Sequence, residues 1–411
     1  MTGRRVVVTG LGPVTSLGVG AKAFHAGQLE GRGAVRPISR FDASDLPVRI
    51  AAEVDLPDEL RLARRDFIAT DRVTHLAAAA ASLALADAGL DLDAADRNRI
   101  GVVLGTGCGG AESIRHNGTA LARKGPGGVG ARFIPMSMSN SSASWIAIRY
   151  GLGGPVTTTV TACASGADAL LTAHQMIVTG EADVVLAGGT EAPVTDLVVS
   201  GFAKMKALST RNEEPERASR PFGADRTGFV LGEGAAVLVL EDADHARARG
   251  AEPLAALLGY GRTCDAYHVV APRPDGAAAA RAVTGALRSA GLAPEEVSHV
   301  NAHGTGTVLN DAAEAAALTT ALGPVAARIP VTATKSMTGH TLGAAGAIEA
   351  VAAVQTLVHQ VVPPTANLDA PDLALGLDLV AGEPLDTRVS AVLSNSFAFG
   401  GHNVVLAFGR P

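Results

Sequence analysis

The chain has 411 residues, of which 47% are hydrophobic and only 3% are aromatic. This length exceeds one typical hydrophobic core, so we expect two domains or one large two-part fold, packed with Ala, Val and Leu. The net charge of −6 argues against general binding to nucleic acids.

Strand-like runs alternate with alanine-rich helical runs, which predicts an α/β fold. The run VVVTG near the start is followed by the helical run HLAAAAASLALADAG and then by the strand-like run IGVVLGTG. Several strands are apolar throughout, as in sheets that are covered on both faces. The first residues lack the apolar region of a signal peptide, and no uncharged apolar run reaches about 18 residues, so we expect no membrane span and a cytoplasmic protein.

Two glycine-rich segments resemble dinucleotide-binding loops, but neither carries the rest of that motif. Residues 10–15 read GLGPVT, where Pro13 interrupts a helix start, and residues 105–110 read GTGCGG without a clear strand-borne acid about 20 residues later. Three widely spaced cysteines, Cys108, Cys163 and Cys264, include no CxxC pair, which predicts neither a disulfide framework nor a zinc site. We therefore expect no redox cofactor, no metal and a reducing compartment.

One cysteine lies between a predicted strand and a predicted helix. In TTTVTACASGADALLTAH, residues 157–174, Cys163 follows a strand at 157–161 and precedes a helix at 167–180. The helix dipole at this position favours a thiolate and predicts a lowered pKa, and the small neighbouring residues leave room for a substrate. A packed core cysteine is the alternative, and this position alone does not decide between them.

A charged segment at residues 241–253, EDADHARARGAEP, ends in Gly and Pro and divides the chain into two predicted halves, 1–250 and 251–411. In the second half, His303 in HVNAHGTGT and His340 in VTATKSMTGHTLGAAG each follow a strand and precede a helix. Sites in open α/β sheets form at this edge, although a single loop histidine is more often simply solvated. Two neutral histidines near a thiolate can donate hydrogen bonds to a developing oxyanion or move a proton, and Lys335 can orient or polarise them.

The segment SNSFAFGGHN near the chain end places Phe399 before two glycines. A Gly-Gly turn exposes backbone N–H groups, which can form an oxyanion hole together with the amide of Cys163. The four motifs TACASG, NAHGTGT, KSMTGHTLGAAG and NSFAFGGHN, in this order, resemble those of the elongating β-ketoacyl-[acyl-carrier-protein] synthases, and the similarity runs from VVVTGLG to NVVLAFG. The resemblance implies a thiolase-like fold with two similar βαβαβαββ halves in a five-layer αβαβα sandwich.

The resemblance also implies an activity and residue roles. The reaction is a decarboxylative Claisen condensation of malonyl-[acyl-carrier-protein] with an acyl chain held on Cys163, giving 3-oxoacyl-[acyl-carrier-protein], with His303 and His340 supporting decarboxylation. Lys335 supports the histidines, Glu349 is a buried structural acid, and the amides of Cys163 and Phe399 form the oxyanion hole. Substrate contacts are implied for seven residues: Cys108, Phe202, Phe229, Thr305, Thr307, Phe399 and Gly400.

The partners implied are an acyl carrier protein, which brings its own phosphopantetheine arm, and a second subunit, as a homodimer or a heterodimer with a chain-length-factor-like protein. Carriers of this kind are acidic, so a basic patch is expected among Arg61, Arg64, Arg65, Lys124, Lys204 and Lys206. Cys108 stands where many such enzymes have a larger aliphatic residue, which predicts a longer or wider acyl tunnel. His402 stands where threonine is frequent, and the sequence offers no reason for it.

Three other functions compete with this one. A non-catalytic subunit would not need the intact Cys163, His303 and His340. A biosynthetic thiolase would be expected to have a second cysteine near the C-terminus, where this chain has FAFGGHN. A cysteine hydrolase fits less well, because two histidine-bearing glycine loops suit enolate chemistry better than transfer to water. The sequence does not distinguish primary fatty acid synthesis from a polyketide or polyene pathway.

Overall fold

The computed structural model describes residues 3–411, and its strands fall into two sets of similar arrangement. The first half contains β1 (Val6–Thr15), β2 (Arg36–Pro37), β3 (Ile50–Ala51), β4 (Ile100–Gly105), β5 (Val156–Thr159), β6 (Val184–Glu191) and β7 (Gly234–Asp242). The second half contains β8 (Ala255–Cys264), β9 (His299–Asn301), β10 (Pro330–Thr332), β11 (Val361–Val362), β12 (Asp378–Leu379), β13 (Leu385–Asp386), β14 (Ala391–Ala398) and β15 (His402–Gly409).

The helices that connect these strands are more numerous in the first half. The first half contains α1 (Ala21–Glu30), α2 (Arg64–Phe67), α3 (Arg72–Asp87), α4 (Ala111–Lys124), α5 (Phe133–Ser137), α6 (Ser141–Tyr150), α7 (Ser165–Val178), α8 (Asp196–Lys204) and α9 (Ala243–Ala248). The second half contains α10 (Ala277–Ala290), α11 (Val308–Leu322), α12 (Lys335–Thr338) and α13 (Ala345–His359).

Eleven strands form one mixed sheet in the order β12-β10-β9-β14-β15-β8-β1-β7-β6-β4-β5. From the junction of β1 with β8 outward, the first half contributes β1, β7, β6, β4 and β5, and the second half contributes β8, β15, β14, β9 and β10. Ranked by chain order within each set of five, both sides read first, fifth, fourth, second, third. At this junction β1 and β8 pair at Val7 with Ala256 and at Val8 with Ala255. The predicted pair of βαβαβαββ halves is confirmed, with this short antiparallel junction as an addition.

Three apolar cores separate the five layers. Helices α3 and α6 cover the outer face of the first half's strands, and α10 and α11 cover the corresponding face of the second half. Helices α7 and α13 lie between the two sets of strands, in a core that both halves share. Every residue of α13 from Ala345 to Leu357 is buried, as expected for a helix that is apolar on all sides. The segment Leu342–His359 has the length and mean hydropathy of a membrane span, and 89% of it is buried inside the protein.

The turns before α7 and α13 are structural duplicates. Residues 161–167 read TACASGA and residues 341–347 read TLGAAGA, and each begins with a 3₁₀ turn, Ala162–Ala164 or Leu342–Ala344. Ala162 has φ 49° and Leu342 has φ 45°, a backbone region that costs side-chain-bearing residues about 1–3 kcal/mol. Gly343 therefore occupies in the second half the place that Cys163 occupies in the first.

Several predicted boundaries differ from the structure. β5 ends at Thr159, two residues before the predicted end, and α7 begins at Ser165, two residues before the predicted start. The dinucleotide-like residues 10–15 lie inside β1, where a Cβ atom on Gly10 would come within 2.4 Å of the Ala84 carbonyl oxygen on α3. Glycine at position 10 therefore allows α3 to pack closely on β1. The predicted division at 250/251 falls in the loop between α9 and β8.

Candidate active site

Three loops from two halves meet in one cavity. Cys163 follows β5, His303 follows β9, and His340 follows β10, so each side chain lies beyond the carboxyl end of a parallel strand. All three line a cavity of about 340 Å³ together with Phe399. The sheet topology thus brings together residues that are far apart in the chain.

A tight turn presents the Cys163 thiol to this cavity. The Ser165 hydroxyl holds the turn, since it accepts from the amide of Thr161 at 2.9 Å and donates to the carbonyl of Ala162 at 2.6 Å. Cys163 is 5% exposed, and the strained Ala162 precedes it directly. Such a strained strand-to-helix turn projects one side chain away from the backbone around it, as in other nucleophile turns.

The predicted lowering of the Cys163 pKa is wrong for the unliganded protein. Burial raises the pKa of this thiol to about 12, although the charge of Lys335 and the backbone N–H groups of Phe399 and of Cys163 itself act in the opposite direction. The free energy lost by taking a thiolate out of water is larger than the stabilisation that the helix N-terminus, the Lys335 charge and the two N–H groups provide. At rest Cys163 is therefore a neutral thiol that two backbone N–H groups face.

Lys335 bonds to His303 and not to His340, although its charge acts on both rings. Its ammonium donates to the carbonyl oxygen of His303 at 2.6 Å, to Nδ1 of the same residue at 3.1 Å, and to the Glu349 carboxylate. All three donors of the ammonium are thus used. Because Nδ1 of His303 accepts, its proton resides on Nε2. Burial raises the pKa of Glu349 to about 7 against the effect of Lys335.

The two histidine rings are close and nearly perpendicular. Their centroids are 5.4 Å apart at 85°. Burial and then the Lys335 charge lower the pKa of both rings well below the usual 6.5, so both are neutral near pH 7. The amide of His340 donates to Val230 at 2.7 Å, and the Phe229 ring meets the imidazole edge-on at 5.2 Å. No protein group within residues 3–411 bonds to Nδ1 of His340, so its tautomer is not fixed as that of His303 is.

Sequence reasoning missed Glu314, a buried acid on α11. Its carboxylate accepts from the amides of His303 and Gly304, each at 2.8 Å, and from the Asn395 side chain at 3.0 Å. This contact fixes the loop that carries His303. The available signal was the acid within the otherwise apolar AAEAAAL, where an uncompensated buried charge would be costly.

The turn Phe399–Gly401 contributes one N–H group to the cavity rather than several. The amide of Phe399 faces the Cys163 sulfur, whereas the amide of Gly400 donates to Val269 at 2.9 Å, and Gly400 does not line the cavity. The predicted substrate contact of Gly400 therefore finds no support in this cavity, because its donor is already used. His402 packs beneath the turn, where a Cβ atom on Gly400 would come within 3.1 Å of the imidazole.

The remaining predicted substrate residues divide into two groups. Thr305 and Thr307 line the cavity with hydroxyls 3.0 Å apart, and Phe229 also lines it. Cys108 and Phe202 do not line this cavity but belong to an adjacent apolar cluster that includes Cys163 and Phe229. The Phe202 ring lies 5.3 Å from that of Phe229, so this cluster continues the cavity beyond the thiol as an apolar wall.

The predicted basic residues are dispersed over the first half. Lys206 lines the cavity, and Lys204 ends α8 two residues earlier. The others do not line it: Arg61, which pairs with Asp58 at 2.7 Å; Arg64 and Arg65 on α2; and Lys124 at the end of α4. Within residues 3–411, no cluster of three or more His, Cys, Asp or Glu side chains is arranged to hold a metal ion.

Both halves match known protein families. Residues 3–246 match the family described as "Beta-ketoacyl synthase, N-terminal domain", and residues 254–369 match "Beta-ketoacyl synthase, C-terminal domain". The chain is 47% identical over 408 residues to a 3-oxoacyl-[acyl-carrier-protein] synthase 2 of Synechocystis sp., covering 99% of this chain and 98% of that protein. It is 43% identical to the protein of the same name from Coxiella burnetii, covering 100% and 99%.

Solved structures show the same architecture. The ishigamide ketosynthase/chain length factor matches with a TM-score of 0.93 and 35% identity, covering 99% of both chains. A ketosynthase from a type II polyketide system, solved with its acyl-carrier protein and bound to the hexaketide, matches with a TM-score of 0.91 and 33% identity, again covering 99% of both. These structures confirm the predicted thiolase-like fold.

Proposed function

Because this chain belongs to the β-ketoacyl synthase family, we propose that Cys163, His303 and His340 together perform its decarboxylative condensation. The chain is a 3-oxoacyl-[acyl-carrier-protein] synthase, an acyltransferase of fatty acid or polyketide synthesis. One observation carries the assignment of roles: Lys335 fixes the Nε2–H tautomer of His303 at the cavity that also holds the Cys163 thiol.

In the first half-reaction, the Cys163 sulfur attacks the carbonyl carbon of an acyl thioester on the carrier. The new S–C bond forms as the bond to the pantetheine sulfur breaks, and the thiol proton ends on the departing sulfur. The amides of Cys163 and Phe399 face the reacting sulfur and would donate to the carbonyl oxygen as it gains charge. The Thr305 and Thr307 hydroxyls line the cavity and would contact the pantetheine arm.

In the second half-reaction, a malonyl thioester loses CO2, and the electron pair of the broken C–C bond becomes an enolate. The Nε2–H of His303 donates to the enolate oxygen, and neutral His340 donates beside it or moves a proton, since its tautomer is not fixed. The enolate carbon then attacks the acyl-Cys163 carbonyl, a C–C bond forms, and the S–C bond breaks. The released Cys163 thiolate takes up one proton from solvent, because its original proton left on the first carrier's sulfur, and the 3-oxoacyl chain remains on the malonyl carrier. No redox group takes part in these steps.

One reconstitution tests this function. The purified protein is incubated with a panel of acyl carriers of increasing chain length and then with the malonyl carrier. We expect a mass increase on Cys163 equal to the acyl group, release of CO2, and a 3-oxoacyl product that is two carbons longer. Free fatty acid without CO2 release would instead identify an acyl hydrolase and contradict the proposal.

The same panel of acyl carriers also measures which chain lengths the acyl tunnel accepts. We propose that Cys108 lines the acyl end of the site, supported by its place in one apolar cluster with Cys163 and Phe202. A cysteine leaves more space than an aliphatic residue such as isoleucine, and each further buried CH₂ of the substrate contributes about 0.8 kcal/mol. Acylation by long or rigid chains is therefore expected, and the chain-length profile distinguishes fatty acid from polyene synthesis.

We propose that the chain works as a dimer with an acyl carrier protein as its substrate donor. β5 is the last strand of the sheet, and Val156 and Val160 beside this edge are exposed, as is Ile148 on the adjacent α6. Light scattering of the purified chain decides between a homodimer and a need for a chain-length-factor-like partner.

Because Cys163 must remain a free thiol, we also propose a reducing compartment such as the cytoplasm.

The predicted basic patch yields a separate test. Charge reversal at Arg65 and Lys206 is expected to raise the KM for carrier-linked substrates by roughly fivefold or more, since each exposed ion pair contributes about 0.2–1 kcal/mol and reversal adds repulsion. The salt dependence of the KM should flatten as well. Steady-state kinetics with carrier-linked and CoA-linked substrates measure both effects.

The matched control reverses Arg328 and Arg388, two exposed arginines of the second half. They change the net charge by the same amount but lie outside the predicted patch. An equal rise in KM for CoA-linked substrates, or an equal effect of the control pair, would contradict docking at the patch.

A further inference from the structure

A second buried acid, Glu191, bonds to loops beside the site and has no role in the chemistry above. It is the last residue of β6 and has no exposed surface. One carboxylate oxygen accepts from the Thr106 hydroxyl at 3.1 Å and from the amide of Cys108 at 3.0 Å. The other accepts from the amides of Gly107 at 2.5 Å and Gly343 at 2.9 Å. A carboxylate has about four acceptor positions, so all of them are used.

These contacts join loops from opposite halves of the fold. Thr106, Gly107 and Cys108 form the loop after β4, whereas Gly343 lies in the turn that follows His340. The junction is tightly packed, because a Cβ atom on Gly343 would come within 2.5 Å of the Glu191 carboxylate. The loop after β4 also reaches the turn of Cys163, since the Ser165 hydroxyl oxygen lies 3.2 Å from the Thr106 carbonyl oxygen, a longer contact beside its bond to Ala162.

The duplicated turns give the contact with Gly343 a particular meaning. Gly343 corresponds to Cys163, whose amide faces the reacting sulfur in the first half. In the second half, the corresponding amide is occupied by the Glu191 carboxylate. One copy of the turn is thus available to the substrate, while the other is fixed by an internal anion.

We propose that Glu191 is a positioning residue for the condensation, which fastens the Cys108 wall of the acyl pocket to the turn that carries His340. The acyl chain on Cys163 and the malonyl group near the histidines would then keep a fixed relation while the C–C bond forms. This inference rests on the proposed function, since it assigns the two sides of the junction to the two substrates. Its geometry predicts an effect that grows with the length of the acyl chain.

The variant Glu191→Gln tests this with almost no change in shape. The amide nitrogen of the new glutamine side chain donates hydrogen bonds and cannot accept them. We expect it to take the position beside Thr106, because the Thr106 hydroxyl can rotate and accept a hydrogen bond instead of donating one. The amide of Cys108 then loses its acceptor, while Gly107 and Gly343 keep theirs. The Cys108 loop should loosen, so acylation of Cys163 by long-chain carriers should fall about tenfold or more, while short chains are nearly spared.

A second measurement should move in the opposite direction. The Glu191 charge contributes to the raised pKa of both Cys163 and Cys108. Its removal is therefore expected to speed alkylation of Cys163 by iodoacetamide at fixed pH, by about tenfold for each unit by which the thiol pKa falls. The comparison is made in a Cys264→Ser background, because Cys264 is exposed and competes for the reagent.

Glu241→Gln is the matched control. Glu241 lies near the end of β7 and is as fully buried as Glu191. It pairs with Arg249 and does not line the cavity. Its loss should lower stability and total activity without changing the chain-length profile or the alkylation rate. If Glu191→Gln matches either the wild type or this control in both measurements, the positioning role is wrong. If the wild type makes no 3-oxoacyl product, the proposed function fails, while the alkylation result still reports on the Glu191 charge.

Discussion

Replacing Cys163 with alanine is expected to reduce acyl transfer and condensation to the limit of detection. The covalent intermediate needs a nucleophile in the cavity, and Cys163 is the only one of the three cysteines that lines it. Cys108 lies in the adjacent apolar cluster, where burial raises its pKa, and Cys264 is exposed outside the cavity. The measurement is the mass of the protein after incubation with an acyl carrier, followed by product analysis with the malonyl carrier.

Cys264→Ser is the control for this variant, and it should acylate and condense like the wild type. Iodoacetamide labelling does not identify the nucleophile by itself, because the exposed Cys264 should react before the buried thiol with its pKa of about 12. An acyl adduct on the Cys163→Ala protein, or continued elongation by it, would move the reaction to another residue.

Replacing His303 or His340 with alanine should separate the two half-reactions. Each variant is expected to lose CO2 release from the malonyl carrier by about 10²–10³-fold, because a donor to the developing enolate oxygen is removed. Acylation of Cys163 should persist, since it depends on the amides of Cys163 and Phe399. Release of labelled CO2 and the mass of the acyl-enzyme measure the two steps independently.

His299→Ala is the matched control, because His299 is also fully buried in the second half but bonds to Thr332 and does not line the cavity. It should leave the ratio of the two half-reactions unchanged.

The pKa values of His303 and His340 lie well below 6.5, so the neutral rings persist as pH falls from 8 through 6.5. The two rings should therefore add no step to the pH profile of CO2 release over that range, and a step near pH 7 would report Glu349, whose pKa is about 7. Undiminished release in both alanine variants would remove the histidines from the mechanism.

The sequence by itself determined the parts that depend on local pattern. Strand runs followed by small residues and a helix located Cys163, His303 and His340, and four motifs in order indicated the family and its layered fold. These inferences succeed because a strand, a tight turn and a helix start each depend on neighbouring residues, which the sequence displays directly.

Only the tertiary structure decided how these parts act on one another. It brought the end of β5 in one half to the ends of β9 and β10 in the other, directed the Lys335 ammonium to His303, and used the Gly400 amide elsewhere. It also reversed the expected pKa shift of Cys163 and introduced Glu314 and Glu191 as anchors of the loops. Burial and the partners of a buried polar group are set by residues distant in the chain, and in a low-dielectric interior these outweigh a helix end visible in the local sequence.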